Sequence, residues 1–261
     1  MTILRLLWIY LRVGVMNELA YRVNFFVRLF QSLLELGTAL AGLAVVFSYT
    51  DTLGGWRPDE ILALLGVYFL VGGVISVVIQ PSMEGFIESV REGTLDFTLT
   101  KPEDAQLLVS VQAVDLWGFI DVLLGSGVLV VALARLGERV GGLEAAMFGA
   151  MLTAGIGIVY AFWLILATCS FWFVRVENIL VIFQSMYQAG RWPVSLYPGW
   201  LRYGLTFLVP VAFATTVPAE ALTGRLNTET MLGALALAAA LLLASRAFWR
   251  TGIRHYSGAS A

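Results

Sequence analysis

The chain has 261 residues, 59% of them apolar and only 13% charged, with a mean hydropathy of +0.83. A water-soluble domain carries about a quarter of its residues charged; half that share cannot cover a globule, so a soluble enzyme is excluded. The formal charge is −2, and no Lys/Arg cluster of the kind that reads nucleic acid is present.

Residues 2–21 are predicted as the first helix. Arg5 and Arg12, seven apart, share a face, and Glu18 and Arg22 are spaced to pair at i, i+4. An apolar segment with an arginine stripe is expected to lie along the membrane surface, here over 1–24. The same arginines break the long apolar run that a cleavable signal needs. Hydrocarbon about 30 Å thick needs about 20 apolar residues per helical span. The apolar runs place spans at about 25–47, 59–79, 111–134, 144–171, 177–191 and 229–249. Four of the seven prolines fall between 192 and 227: Pro193, Pro198, Pro210 and Pro218. The apolar run Tyr203–Val217 is short, and Pro210 near its middle removes a helix hydrogen bond. This segment is expected to dip into one membrane face as short helices packed on protein. The expected fold is an all-α polytopic membrane protein. Its parts are an interfacial helix (1–24), spans one and two (25–80), a cytoplasmic loop (81–110), spans three to five (111–191), an external re-entrant segment (192–227), span six (228–250) and a tail (251–261).

Charge sets the orientation. With six spans and a cytoplasmic N-terminus, ten basic residues face inward, against six outward: Arg57, Arg135, Arg139, Arg191, Arg202 and Arg225. A seventh span would move Arg246, Arg250 and Arg254 outward and give 7 against 9. The positive-inside rule therefore favours six spans with both termini in the cytoplasm.

The loop 81–110 holds eight of the thirty-four charged residues. Glu84, Glu88, Arg91 and Glu92 line one face of a predicted helix over 82–92, while Phe86, Ile87 and Val90 occupy the other. Gly93 follows where a helix end commonly needs a left-handed residue. The segment Arg91-Glu92-Gly93-Thr94-Leu95-Asp96 resembles the intracellular loop of ABC-2 type transporter permeases. Tyr197-Pro198-Gly199-Trp200-Leu201-Arg202, then Phe207–Ala212 and Val217-Pro218-Ala219, resemble the segment before the last span in the same family. The resemblance is strongest to its small six-span bacterial branch and runs the length of the chain.

That resemblance implies one permease half of an exporter, moving substrate by alternating access in a bacterial cytoplasmic membrane. Two membrane subunits would pair, as a homodimer or heterodimer, each docking a cytoplasmic ATPase through a coupling helix. Carried over by residue, Glu84, Glu88, Arg91, Glu92, Gly93 and Asp96 would make the ATPase-docking helix and turn. No G-x-x-x-x-G-K-[ST] loop is present to cradle phosphates, so ATP and Mg are expected on the partner ATPase and no cofactor on this chain. Relatives of this kind are associated with efflux of drugs, including organic cations.

Ionisable groups at membrane depth are costly and draw attention. Arg28 and Glu35 lie seven apart in span one, about 10 Å along the axis, and are not expected to bond each other. Arg28 is expected to snorkel to the cytoplasmic surface. Asp115 is expected near the cytoplasmic end of span three and Asp121 well inside it. Glu35, Asp121 and Trp117 are candidates to line a substrate path. Alternatively each carboxylate pairs with an arginine or backbone group across a helix contact. Phe171-Trp172-Phe173 are expected at the headgroup level. Gly37/Ala41, Thr38/Gly42 and Gly149/Thr153/Gly157 have helix-packing spacing. A lone cysteine, Cys169, and a lone histidine, His255, supply neither a disulfide nor a catalytic pair. One Pro-interrupted region without an early counterpart argues against an ion-coupled secondary transporter, the alternative reading.

Overall fold

The computed structural model describes residues 22–137, 140–173 and 177–256. The helix expected over 2–21, with Arg5, Arg12 and Glu18, lies outside the described residues, as do Arg139, Arg175 and the end of the tail. Every element longer than a turn is helical among the described residues. Five helices are long and apolar enough to cross a membrane, or six if one bent pair counts as a span.

Helix α1 (Arg22–Tyr49) is followed by a tight reversal in which Leu53 and Trp56 exchange backbone hydrogen bonds. Gly54 and Gly55 between them sit at φ 56° and 82°, as a primed two-residue turn demands. Helix α2 (Pro58–Val74) continues without a break through a wide π turn, Ile75–Ile79, into α3 (Gln80–Arg91). The whole helix has 34 residues, about 51 Å at 1.5 Å per residue. That exceeds a hydrocarbon core of about 30 Å, so one end must stand clear of the lipid. The π turn loosens the helical ladder, and the chain uses it: Asp115 N–H donates to Val77 C=O at 2.9 Å.

Gly93 ends α3 at φ 73°. Two short helices, α4 (Asp96–Leu99) and α5 (Ala105–Ser110), follow. The next span starts later than its hydropathy implies. Residues 111–115 are not helical, because Asp115 turns its carboxylate to the Trp117 N–H at 2.9 Å and caps the turn Leu116–Gly118. Helix α6 (Phe119–Leu136) then packs along α2. Glycines permit the approach. A Cβ on Gly66 would lie 2.9 Å from Leu129 N, one on Gly73 2.6 Å from Val122 N, and one on Gly125 2.4 Å from Leu70 N. The small residues singled out by spacing do not play this part: Gly37, Gly42 and Gly149 meet nothing within 4 Å, and Gly157 meets only a Leu242 side chain. Spacing marks a face, whereas close packing also requires an opposing backbone.

Helix α7 (Gly142–Thr168) and its extension Cys169–Phe171 pack on α12 (Thr228–Ile253). Between them the chain is irregular. Helix α8 (Glu177–Tyr187) runs into a tight turn, Gln188–Arg191, and is too short to cross alone. The chain continues through the turn Val194–Leu196 to Gly54, against which Leu196 packs. Then come α9 (Gly199–Tyr203), a π turn Gly204–Leu208, α10 (Val211–Ala214) and α11 (Thr216–Leu222), with a 69° bend in the pair Gly199–Leu208 and Val211–Leu222. The segment begins beside Gly54 and ends with Arg225 donating to Gly55 C=O at 2.6 Å, so both its ends lie at the same end of the bundle. The segment is a bent helical hairpin whose two ends share one end of the bundle. Irregular backbone at membrane depth is tolerated only where protein surrounds it. Val194 N–H accordingly donates to Thr216 Oγ1 at 3.2 Å, and Tyr197 Oη to Ala189 C=O at 2.9 Å.

Candidate functional site

Two features stand out, one inside the bundle and one at the end where α3 protrudes. The inner one begins with α1, the least buried span, with 6% of its apolar window enclosed. Polar groups fasten it. Arg28 donates to Asp121 Oδ2 at 2.5 Å, and Ser32 Oγ donates to Oδ1 of the same carboxylate at 2.5 Å. Seven residues on, Glu35 accepts from Arg191 and, at 3.3 Å, from the Tyr68 hydroxyl. The Arg191 guanidinium lies 5.3 Å from the Tyr68 ring centroid, a cation–π distance. Tyr68 stacks on Tyr187 at 5.0 Å, and Tyr187 Oη donates to Tyr68 C=O at 2.9 Å.

These groups surround a cavity of about 310 Å³ lined by α1, α2, α6 and α8, with Arg28, Glu35, Tyr68, Asp121 and Tyr187 among its walls. Glu35 and Asp121 therefore share one cavity, each already paired to an arginine from a distant helix. Trp117 is not among its walls; its ring lies against Phe25, 5.3 Å between centroids. One expectation is corrected. Arg28 does not snorkel outward, because a buried carboxylate one helix away holds it. Arg191, counted among the external charges, pairs with Glu35 of α1. Arg28 lines the cavity, and Arg191, which sequence reasoning missed, reaches it from outside the walls by holding Glu35. The cost of an arginine inside lipid was the signal available. The Nε of each is buried without a hydrogen-bond partner among the described residues.

The second feature is the α3 end. Phe86 and Ile87 are buried, while Glu84, Arg91 and Glu92 are exposed and Glu88 is half-buried. Gln80 donates to Glu84 at 2.8 Å, and Arg91 pairs with Glu88 at 2.5 Å. After Gly93, Leu95 is fully buried and its N–H donates to Ser89 C=O at 3.1 Å, which folds the turn back on α3 and leaves Asp96 half-buried. The buried face of α3 meets an aromatic cluster. Phe86 lies 5.0 Å from Trp249 and 5.6 Å from Phe171, and Phe171 lies 5.8 Å from Tyr256. Of the expected headgroup anchors, Phe171 thus belongs to this cluster, while Phe173 is exposed.

Beyond α4, Asp104 caps α5 and accepts from Arg246 of α12, at 2.9 Å for one of its oxygens. The Arg246 hydrogen bonds hold its carboxyl below the usual 3.8. Gln106 also accepts from Arg246, at 2.8 Å, and Ser110 shares a 2.7 Å hydrogen bond with Tyr160 of α7. The whole loop is thereby tied to α7 and α12. Among the described residues no group of three or more His, Cys, Asp or Glu side chains is placed to hold a metal ion.

A family model described as "ABC-2 family transporter protein" covers residues 33–260. No curated protein and no solved structure matches the chain.

Proposed function

The chain belongs to the ABC-2 family of transporter proteins, and from that premise we propose that this membrane subunit is the permease half of an exporter powered by a separate ATPase. The observation that carries the reading is the continuity of α2 with α3. A helix of 34 residues projects beyond the hydrocarbon and ends in a charged, exposed face. In this reading α3 and the turn Gly93–Asp96 face the cytoplasm as the ATPase-docking element, with Glu84, Glu88, Arg91 and Glu92 as contacts. ATP and Mg bind to the partner, and two permease chains pair in a bacterial inner membrane with both termini inside.

Closure of the ATPases on ATP would push α3. The push would travel along α2 as one rod and, through Phe86, into α7 and α12. The contacts of α3 thus carry the push to the last span, α12, and to α7. Movement of α2 would reshape the cavity around Glu35 and Asp121, exposing it to one side and then the other, with substrate exchanging for the arginine partners. The walls hold two acids and one arginine, Arg28, while Arg191 holds Glu35 from outside them, so the cavity suits an amphiphile or organic cation only when a carboxylate is freed.

The test is coexpression with a candidate ATPase and transport in proteoliposomes. Glu84→Arg and Arg91→Glu should each lower coupled ATP hydrolysis and transport while the protein still inserts and elutes normally. Unchanged transport in both variants overturns the coupling role.

A further inference from the structure

A second cavity is larger than the polar one and is apolar. A groove of about 650 Å³ opens between α1, α2 and α6. It starts just beyond the polar clamps, at Leu36 and Leu123, and runs to Phe47 and Arg135 at the end where α2 begins. Its origin is physical. The Arg28–Asp121 and Glu35–Arg191 pairs hold α1 against the bundle over its first half, and no ion pair holds it beyond Glu35 among the described residues. Apolar burial gives little drive for helix association in lipid, so the second half of α1 stands off from α6.

Three properties of the groove define its occupant. The stretch Leu36–Phe47 spans about 16 Å at 1.5 Å per residue, which is close to one leaflet of a hydrocarbon core about 30 Å thick. Below the mouth every lining side chain is apolar, so a sugar, peptide or nucleotide would find no partner for its polar groups and would bear the cost of leaving them unpaired. At the mouth stands one cation, Arg135, whose side chain is 62% exposed and touches Asp59 only at 3.9 Å. An apolar chain one leaflet long with an anionic group at its upper end is a phospholipid. We infer that the groove between α1 and α6 binds one phospholipid, an acyl chain lying along Leu36–Phe47 and its phosphate on the Arg135 guanidinium. The site is separate from the polar cavity and stands whether or not an ATPase drives transport. A lipid held there wedges the free half of α1.

Two variants and a control test this by native mass spectrometry of the full-length protein, purified in delipidating detergent and supplied with phosphatidylglycerol. Gly127 lines the groove, and a Cβ there meets nothing within 4 Å; Gly127→Trp therefore fills the groove without forcing helices apart. Gly149→Trp, equally open but on α7, is the control. The wild type and Gly149→Trp should retain one phosphatidylglycerol per chain, and Gly127→Trp should lower that occupancy about tenfold. Arg135→Gln, which gives up only the long 3.9 Å pair with Asp59, should also lower it about tenfold with little change in thermal stability. Equal retention in Gly127→Trp and the wild type, or no retained lipid at all, overturns the site. A second copy of the chain seated in the groove would show instead as disulfide-linked dimers of Leu123→Cys in a Cys169→Ser background, and that result also overturns it.

Discussion

The ring of Phe86, on the protruding helix α3, lies 5.0 Å from the indole of Trp249, near the end of the last span. Both side chains are almost fully buried. A helix that carries charge on its outer face is thus anchored on its inner face to a helix 163 positions later in the chain. Any force applied to α3 is shared with α12 and, through Phe171, with α7.

Phe86→Ala should lower stability by about 3–5 kcal/mol, the cost of emptying an aromatic core site. Phe86→Leu should recover most of it yet transmit less, because the aromatic stack on Trp249 is lost. Thermal melts of the purified protein test the first statement. ATPase stimulation of the assembled complex tests the second, and an unchanged stimulation in Phe86→Leu would count against transmission through this contact.

The clamp on α1 predicts a reciprocal effect. Asp121→Ala leaves Arg28 without its carboxylate at membrane depth, a cost of about 3 kcal/mol on insertion scales. Arg28→Leu combined with Asp121→Leu removes both charges and should restore most of the melting temperature. Single variants as stable as the wild type in a thermal-shift series would show that the pair is not fastening α1.

Glycines on the α2–α6 seam should be intolerant, and those on open faces indifferent. Gly125→Ala would bring a Cβ to 2.4 Å from the Leu70 backbone nitrogen, and forced overpacking of this kind costs about 1–3 kcal/mol. Gly37→Ala meets open space and should leave the melting temperature unchanged. Comparison of the two in the same detergent decides the matter.

The Asp104–Arg246 pair carries a pH dependence. Because the folded-state carboxyl is held below its ordinary 3.8 by Arg246, the pair's contribution is fully present above that value and fades as pH falls through the lower folded one. Asp104→Asn should therefore melt below the wild type at pH 7, and the gap should close progressively under acid below about pH 4. Both partners are partly exposed, so added salt should narrow the gap as well. A gap that widens in acid would contradict the assignment.

Much of this architecture could be read from sequence because lipid imposes simple rules. Length and hydropathy located α1, α2, α7 and α12, and the charge stripe with Gly93 located α3 and its end. The misplacements share a cause. Asp115 delays α6 because a side chain caps a turn, and hydropathy does not register a cap. The span expected over 177–191 is a short helix with an irregular tail, whose Ala189 carbonyl is satisfied by the Tyr197 hydroxyl from beyond it. Arg28 and Arg191 find carboxylates 93 and 156 residues away, a relationship that periodicity within one helix cannot encode. The cavity was legible as a list of costly charges, and its pairing was not.

The wide turn at Ile75–Ile79 has a consequence of its own. Each residue of an α-helix turns the axis through about 100°, and a π turn accommodates one residue more than a regular ladder would. The faces of α2 and α3 are therefore offset in angular phase: the stripe that meets α6 above the turn does not continue as the stripe that meets Trp249 below it. Removing a single residue there, with the ladder regularised, would swing the lower half of the rod by roughly a quarter of a revolution. Phe86 would leave its aromatic seat, and the acidic side chains would point elsewhere, with every one of them still present. What a partner sees on α3 is decided by a turn buried in the span above it.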